Sequence, residues 1–89
     1  MVAIEVVLKD AETFEVTVRE AVTTTHTVSL KTDYYQKLTE GKVTPETLIK
    51  RSFEFLLECE SNTMILSSFD LPLIGHYFPD YEKVIVKRL

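Results

Sequence analysis

The sequence predicts an α+β fold in which a three-stranded antiparallel β-meander is followed by a short helix, a long central helix and short C-terminal helices. Three stretches of alternating apolar and polar residues predict the strands, and all of them lie near the start of the chain. After Lys31 the apolar residues recur at helical spacing instead. We therefore interpret residues 1–89 as a single domain, with a strand half over 1–30 and a helix half over 31–89.

The three predicted strands lie at residues 2–8, 14–19 and 25–30. Each alternates between apolar and polar side chains and contains β-branched residues, which is typical of strands with one buried face. The connections at 9–13 and 20–24 are short and polar, and this favours antiparallel pairing of successive strands. The sequence therefore predicts a sheet with one apolar face and one face rich in Glu, Thr, Ser, Lys and Arg.

The long central helix is predicted at Pro45–Cys59. Thr44 precedes it as a capping residue, Pro45 suits the first helical position, and Glu46 places a negative charge in the first turn. The apolar residues that follow recur at helical spacing, and Phe55 lies outside their main stripe. The apolar arc is therefore wide, which indicates contacts with the sheet and with a second surface.

The other predicted helices are short. One is expected over residues 32–41, where Gly41 supplies a natural end. Another is expected to follow Asp70 as its cap and to end near Tyr77. The last is expected to begin at Pro79. Residues 84–86 are apolar and β-branched, so a fourth strand is an alternative there, although we favour a helix.

Composition limits the classes of function. The 89 residues carry 14 Asp and Glu against 10 Lys and Arg, for a net charge of −4. This balance argues against sequence-independent binding of nucleic acid, because phosphate neutralisation needs surplus Lys and Arg. The single cysteine excludes an internal disulfide framework, and the apolar runs are too short to cross a bilayer. The first residues lack the basic region and cleavage site of a signal peptide, so we expect a cytoplasmic protein.

No arrangement of residues predicts catalysis. The two histidines, His26 and His76, do not have the spacing of metal ligands. Cys59 lies between two glutamates, a setting that does not suit a thiolate nucleophile. We therefore predict no catalytic residue, no metal and no cofactor. A small-molecule site that uses Tyr34, Tyr35 and His76 is conceivable, but no pattern indicates it.

The segment after the central helix is dense in large apolar side chains. Such a cluster is either a satellite core or the centre of a protein–protein contact, where aromatic residues dominate. The candidate interface residues are Phe69, Leu73, Tyr77, Phe78 and Tyr81. The leading prediction is a non-enzymatic protein-interaction module, expected to be a homodimer, that uses this segment or a sheet edge as its contact surface.

The alternative prediction is a DNA-binding regulator. The run Thr25-His26-Thr27-Val28-Ser29-Leu30, a short helix, Gly41, and the segment from Thr44 to Phe53 resemble the ribbon-helix-helix proteins. The resemblance covers residues 25–58. In that family the strand pairs with its twin from a second subunit and enters the major groove. The resemblance implies DNA contacts from Thr25, Thr27, Ser29, Lys31 and Thr44.

Charge patterning supports this alternative only in part. Residues 31–51 have a net charge of +2, whereas residues 52–82 contain six acidic residues and no Lys or Arg. The strand that would contact DNA lacks the Arg, Lys, Asn and Gln side chains that usually recognise bases. Two earlier strands also offer it partners within the chain. Whether residues 25–30 pair within the chain or with a second subunit therefore distinguishes the two predictions.

The helix half also resembles a group of small bacterial proteins of uncharacterised function. The blocks Ser-Phe-Glu-Phe-Leu-Leu-Glu at 52–58 and Tyr-Phe-Pro-Asp-Tyr-Glu at 77–82 carry the resemblance, after Thr-Thr-His-Thr-Val at 24–28. It would cover most of the chain. The resemblance implies a bacterial cytosolic protein and brings no substrate or catalytic residue with it.

Overall fold

The computed structural model of the chain describes residues 3–89 and contains one four-stranded sheet with helices packed on one face. The sheet order follows the chain order, β1-β2-β3-β4. The strands are β1 (Ala3–Asp10), β2 (Thr13–Arg19), β3 (Thr23–Ser29) and β4 (Ser68–Asp70). The α+β prediction and its three-stranded meander are confirmed. The predicted start of the first strand at Val2 lies outside the described residues.

β3 is an interior strand of the sheet. It pairs antiparallel with β2 along its whole length, with Val28 opposite Phe14. On its other side it pairs parallel with β4, where Val28 lies opposite Phe69. Asp70 is predicted to cap a helix, but it belongs to β4 because it pairs with Ser29 of β3. The third strand therefore has both of its partners within the chain.

Four α-helices and one 3-10 turn make up the helix half. They are α1 (Thr32–Thr39), α2 (Pro45–Cys59), the 3-10 turn (Asn62–Met64), α3 (Leu73–Tyr77) and α4 (Tyr81–Arg88). The bounds of α2 are those predicted, and the Thr44 hydroxyl accepts a hydrogen bond from the Thr47 N–H at 3.2 Å. After α1 the chain reverses through two left-handed residues, Glu40 (φ 55°) and Gly41 (φ 75°). Residues 84–86 lie within α4, so the favoured helix is confirmed there.

The core lies between one face of the sheet and the helices. The buried sheet residues include Val16, Val18 and Val28, and they face α2 residues that include Phe53. From α4, Ile85 completes this layer with no exposed surface. Both halves of the chain therefore contribute to one hydrophobic core. None of the helices within residues 3–89 has the length and apolar character needed to span a bilayer.

Candidate functional site

An apolar groove opens on the helix side of the molecule, beside β4. Its volume is about 360 Å³, which is within the size range of ligand and peptide sites. We call it the aromatic groove. It is lined by Leu56, Glu60, Met64, Ile65, Leu66, Phe69, Leu73, Ile74, Tyr77 and Phe78. Four of the five predicted interface residues, Phe69, Leu73, Tyr77 and Phe78, are therefore brought together in one surface.

Buried polar contacts hold one wall of the aromatic groove to the sheet. The His26 Nδ1 lies 2.8 Å from the Leu66 carbonyl oxygen, which can only accept, so Nδ1 carries the proton. The Thr24 hydroxyl lies 2.8 Å from His26 Nε2. Asn62 donates to the Thr24 hydroxyl and to the Val22 carbonyl, at 3.0 and 2.7 Å. These bonds fix the segment that carries Met64 and Leu66 against β3.

The opposite wall is formed by α3 and the residues that follow it. Phe78 meets Phe55 edge to face, with ring centroids 5.9 Å apart. At the side nearest the sheet, Phe69 lies 6.1 Å from Phe53. These contacts hold the two groove phenylalanines against α2, because aromatic pairs at this spacing attract beyond their buried area.

Tyr81 does not belong to the groove, so its prediction as an interface residue is wrong. Its side chain has no exposed surface, and its ring lies 5.6 Å from that of Phe55 in the core. The hydroxyl lies 2.6 Å from the Ser52 hydroxyl, which itself donates to the Leu48 carbonyl oxygen. Tyr81 is buried because α2 provides a hydrogen-bond partner inside the core, a contact that local sequence does not reveal.

The rim of the aromatic groove exposes large apolar side chains. Met64 is 69% exposed, Tyr77 62% and Leu66 48%. Met64 and Leu66 were not predicted as site residues. In the sequence, Met64, Ile65 and Leu66 form a run of large apolar residues in a short connection, and the structure buries only Ile65 of the three. Exposed apolar residues that converge on a concave surface are typical of binding sites.

The electrostatic character of the groove is acidic. Glu60 is its only charged lining residue. Within residues 3–89, the neighbouring acids Glu54 and Glu58 are neutralised by ion pairs to Arg51 and Arg88, whereas no such pair involves Glu60. The groove is therefore an apolar surface with one acidic residue in its lining.

The residues implied by the ribbon-helix-helix resemblance lie on different surfaces. Thr25 and Thr27 are exposed on the open face of the sheet, and the Ser29 hydroxyl donates to Asp70 beside them. Thr44 caps α2, which packs on the other face. Both edges of β3 are occupied by strands of the same chain, so this strand has no free edge for pairing with a second subunit. DNA binding stays a prediction, which salt-dependent binding to duplex DNA would test.

The residues considered for a small molecule do not converge. Tyr34 donates to Glu82, and Tyr35 donates to the Val43 carbonyl oxygen. His76 is exposed, packs edge to face on Tyr77, and does not line the cavity that Tyr34 lines. Tyr34 lines a second cavity of about 90 Å³, which is small for a metabolite. Within the described residues, no group of three or more His, Cys, Asp or Glu side chains is placed to hold a metal ion.

Comparison with known proteins adds no family to this description. No protein-family model, curated protein or solved structure matches the chain. The function is therefore inferred from the geometry of the chain's own residues.

Proposed function

We propose that the chain is a non-enzymatic protein-interaction module whose binding surface is the aromatic groove. The observation that carries the proposal is the exposure of Met64, Leu66 and Tyr77 around one apolar concavity. Leaving this surface in water is unfavourable by roughly 25 cal/mol for each Å² of apolar area. A partner that covers it recovers that free energy. A bacterial cytosolic setting stays a prediction from the sequence.

The rim residues suit an adaptable protein contact. Met64 has an unbranched, polarisable side chain that can adjust to differently shaped partners. Tyr77 offers an apolar ring and a hydroxyl that reaches water at the edge, the combination enriched in protein–protein interfaces. The walls behind them are held by the His26 contacts and by the packing of Phe78 on Phe55. A preorganised surface of this kind loses less conformational entropy on binding.

The partner is proposed to be a protein segment with apolar side chains and an adjacent basic residue. A groove of this volume accommodates two or three large side chains of a helix or an extended segment. Glu60 is the charged residue of its lining, so a Lys or Arg beside those apolar side chains would form an ion pair with it. An acidic segment would be repelled.

Selection from a displayed library of random peptides tests this proposal. We expect the selected peptides to contain apolar residues with a neighbouring Lys or Arg. Tyr77→Glu is expected to weaken their binding at least about tenfold, because it places a charge on the apolar rim. Glu60→Lys is expected to shift the preference toward peptides with Asp or Glu in place of the basic residue.

Val86→Glu is the matched control for Tyr77→Glu. Val86 is 49% exposed, lies on α4, and does not line the groove. It receives the same charge and should bind the selected peptides as the unmodified chain does. Peptides that bind all three variants equally, or a library that yields no binder, would rule out the aromatic groove as the binding surface.

A further inference from the structure

The outer edge of β1 is the longest open edge of the sheet. β1 runs for eight residues and has β2 as its only strand partner within the described part of the chain. Val7 and Leu8 are both 51% exposed on it. An open edge presents a row of unpaired backbone N–H and C=O groups, which is a template for a further strand. This edge is separate from the aromatic groove, which lies beside β4.

We infer that two copies of the chain pair through this edge, with β1 antiparallel to β1 of the second copy and Val7 on the twofold axis. The two four-stranded sheets would then form one continuous sheet of eight strands. An isologous contact of this kind requires a strand that is complementary to itself when reversed. The side chains of β1 meet that requirement in one register.

With Val7 on the axis, Glu5 of each copy would lie opposite Lys9 of the other, where a β-bulge between Leu8 and Asp10 interrupts the regular pairing of β1 with β2. Glu5 and Lys9 are both on the open face of the sheet, and each already forms an ion pair within its own chain, Glu5 with Arg19 and Lys9 with Glu15. Across the dimer the charges would alternate from Arg19 through Glu5 to Lys9 and Glu15 of the second copy. Opposite charges directly across a strand pair stabilise it, whereas like charges destabilise it.

The neighbouring antiparallel registers lack this match. With Val6 on the axis, Lys9 would lie opposite Ala3 and Glu5 opposite Val7. With Leu8 on the axis, Lys9 would lie opposite Val7. Each of these registers leaves Glu5 without a basic partner on the second copy, whereas the Val7 register places Lys9 opposite it. Charged residues on an edge strand normally prevent pairing, and here they select one register.

The same register covers the exposed apolar residues of β1. Val7 would lie against Val7 of the second copy on the open face. Leu8 is paired with buried Phe14 on the core face, yet half of its surface is exposed because no strand lies beyond it. Val6 of the second copy would lie directly opposite Leu8. The hydrophobic layer beneath the sheet would then continue from one copy into the other.

Sedimentation velocity across a range of protein concentrations tests the pairing. We expect reversible dimerisation. Val7→Arg should raise the dissociation constant at least about tenfold, equivalent to about 1.4 kcal/mol, because it places two like charges opposite each other on the axis. Val22→Arg, at a valine outside this edge that is 56% exposed, should leave the dissociation constant unchanged. Circular dichroism of the dilute variants checks that they fold.

Zero-length carbodiimide crosslinking of the unmodified chain tests the register independently of any variant. A mixture of ¹⁵N-labelled and unlabelled protein distinguishes crosslinks between copies from those within one copy by mass. We expect a mixed-isotope crosslink that joins Glu5 to Lys9. A monomer at all concentrations would overturn the proposal, and so would mixed-isotope crosslinks that join other residues only. Peptide binding in the aromatic groove is measured separately, so either proposal can fail without the other.

Discussion

Tyr81 is a core residue whose hydroxyl is retained by one internal hydrogen bond. Because the Ser52 hydroxyl donates to Leu48, the tyrosine hydroxyl is the donor in the 2.6 Å contact between them. Burial raises the pKa of Tyr81. Burial is also the main cause that raises the pKa of Tyr34, and its hydrogen bond to Glu82 raises that pKa further. Both tyrosines therefore keep their protons in the folded chain at a pH where they ionise in the unfolded chain.

The stability of the protein is therefore expected to fall in alkali. Because the folded pKa of Tyr81 lies above its unfolded value, its contribution is complete below about pH 10 and decreases as the pH rises beyond it, by up to about 1.4 kcal/mol per pH unit. Urea unfolding at a series of pH values measures this slope. Tyr81→Phe should reduce the slope and cost about 1 kcal/mol at neutral pH through the lost hydrogen bond.

Tyr77→Phe provides the comparison for Tyr81→Phe. It removes a hydroxyl from an exposed ring at the groove rim. The decrease of the free energy of unfolding with pH should therefore match that of the unmodified chain. An unchanged slope in Tyr81→Phe would show that ionisation of this buried group does not contribute to alkaline unfolding.

The two histidines are expected to differ sharply in their effect on stability. His26 is 2% exposed, bonds to Leu66 and Thr24, and packs on Phe53. His26→Ala should therefore lower the free energy of unfolding by roughly 2–4 kcal/mol, since it removes buried volume and leaves Leu66 without its donor. His76→Ala changes an exposed side chain and should alter the free energy of unfolding by less than about 0.5 kcal/mol. Urea unfolding of both variants makes the comparison, and equal losses would contradict it.

At the level of secondary-structure elements, α4 is joined to α2 by a two-point ion pair. The Arg88 guanidinium donates to both carboxylate oxygens of Glu58, at 2.6 and 2.9 Å, and lies 5.9 Å from the centroid of the Phe55 ring. The hydrogen bonds from Arg88 lower the pKa of Glu58. The contact links the C-terminal ends of the two helices.

The ion pair is expected to contribute stability at neutral pH and to lose it in acid. Because the folded pKa of Glu58 is below its unfolded value, the contribution is present above that unfolded value and disappears as the pH falls through the lowered pKa. Arg88→Gln should therefore melt at a lower temperature than the unmodified chain near neutrality, with the difference shrinking toward acid. Thermal unfolding of both proteins at a series of pH values from neutral to acid measures this difference in melting temperature.

Lys42→Gln is the control for Arg88→Gln. Lys42 pairs with Glu40 two residues away, and both side chains are more than 70% exposed. The pair connects no separate elements, so its loss should leave the melting temperature unchanged at every pH. A melting temperature of Arg88→Gln that matched the unmodified chain at neutral pH would exclude a stabilising role for the Glu58–Arg88 contact.

The elements differ in how far local sequence could predict them. α2 has its cap, its proline and its apolar stripe within one segment, and both of its ends are predicted correctly. β4 has three residues and no alternation long enough to recognise, and only its pairing with β3 makes it a strand. The groove could also be predicted only in part. The aromatic residues of segment 69–78 can be recognised in the sequence. Met64 and Leu66 join them only because His26 and Asn62 form hydrogen bonds with residues far away in the chain.

For the whole molecule, the strand half and the helix half are expected to unfold as one unit. β4 comes from the helix half but completes the sheet beside β3, and the core contains residues of both halves. Far-ultraviolet circular dichroism and tyrosine fluorescence should therefore report coincident urea transitions. A peptide of residues 1–30 should have no stable structure. Separate transitions, or a folded peptide, would indicate two independent units.

The separation of β4 from β3 in the sequence has a consequence for the order in which the protein folds. The meander closes through short connections, whereas β4 can pair with β3 only after the chain has passed through α1 and α2. Contacts between residues far apart in sequence form late, because closing the intervening chain has a large entropic cost. β4 and the segment before it supply one side of the aromatic groove. We therefore expect the groove to form late in folding, and a partner that binds there to select completed molecules over partly folded ones.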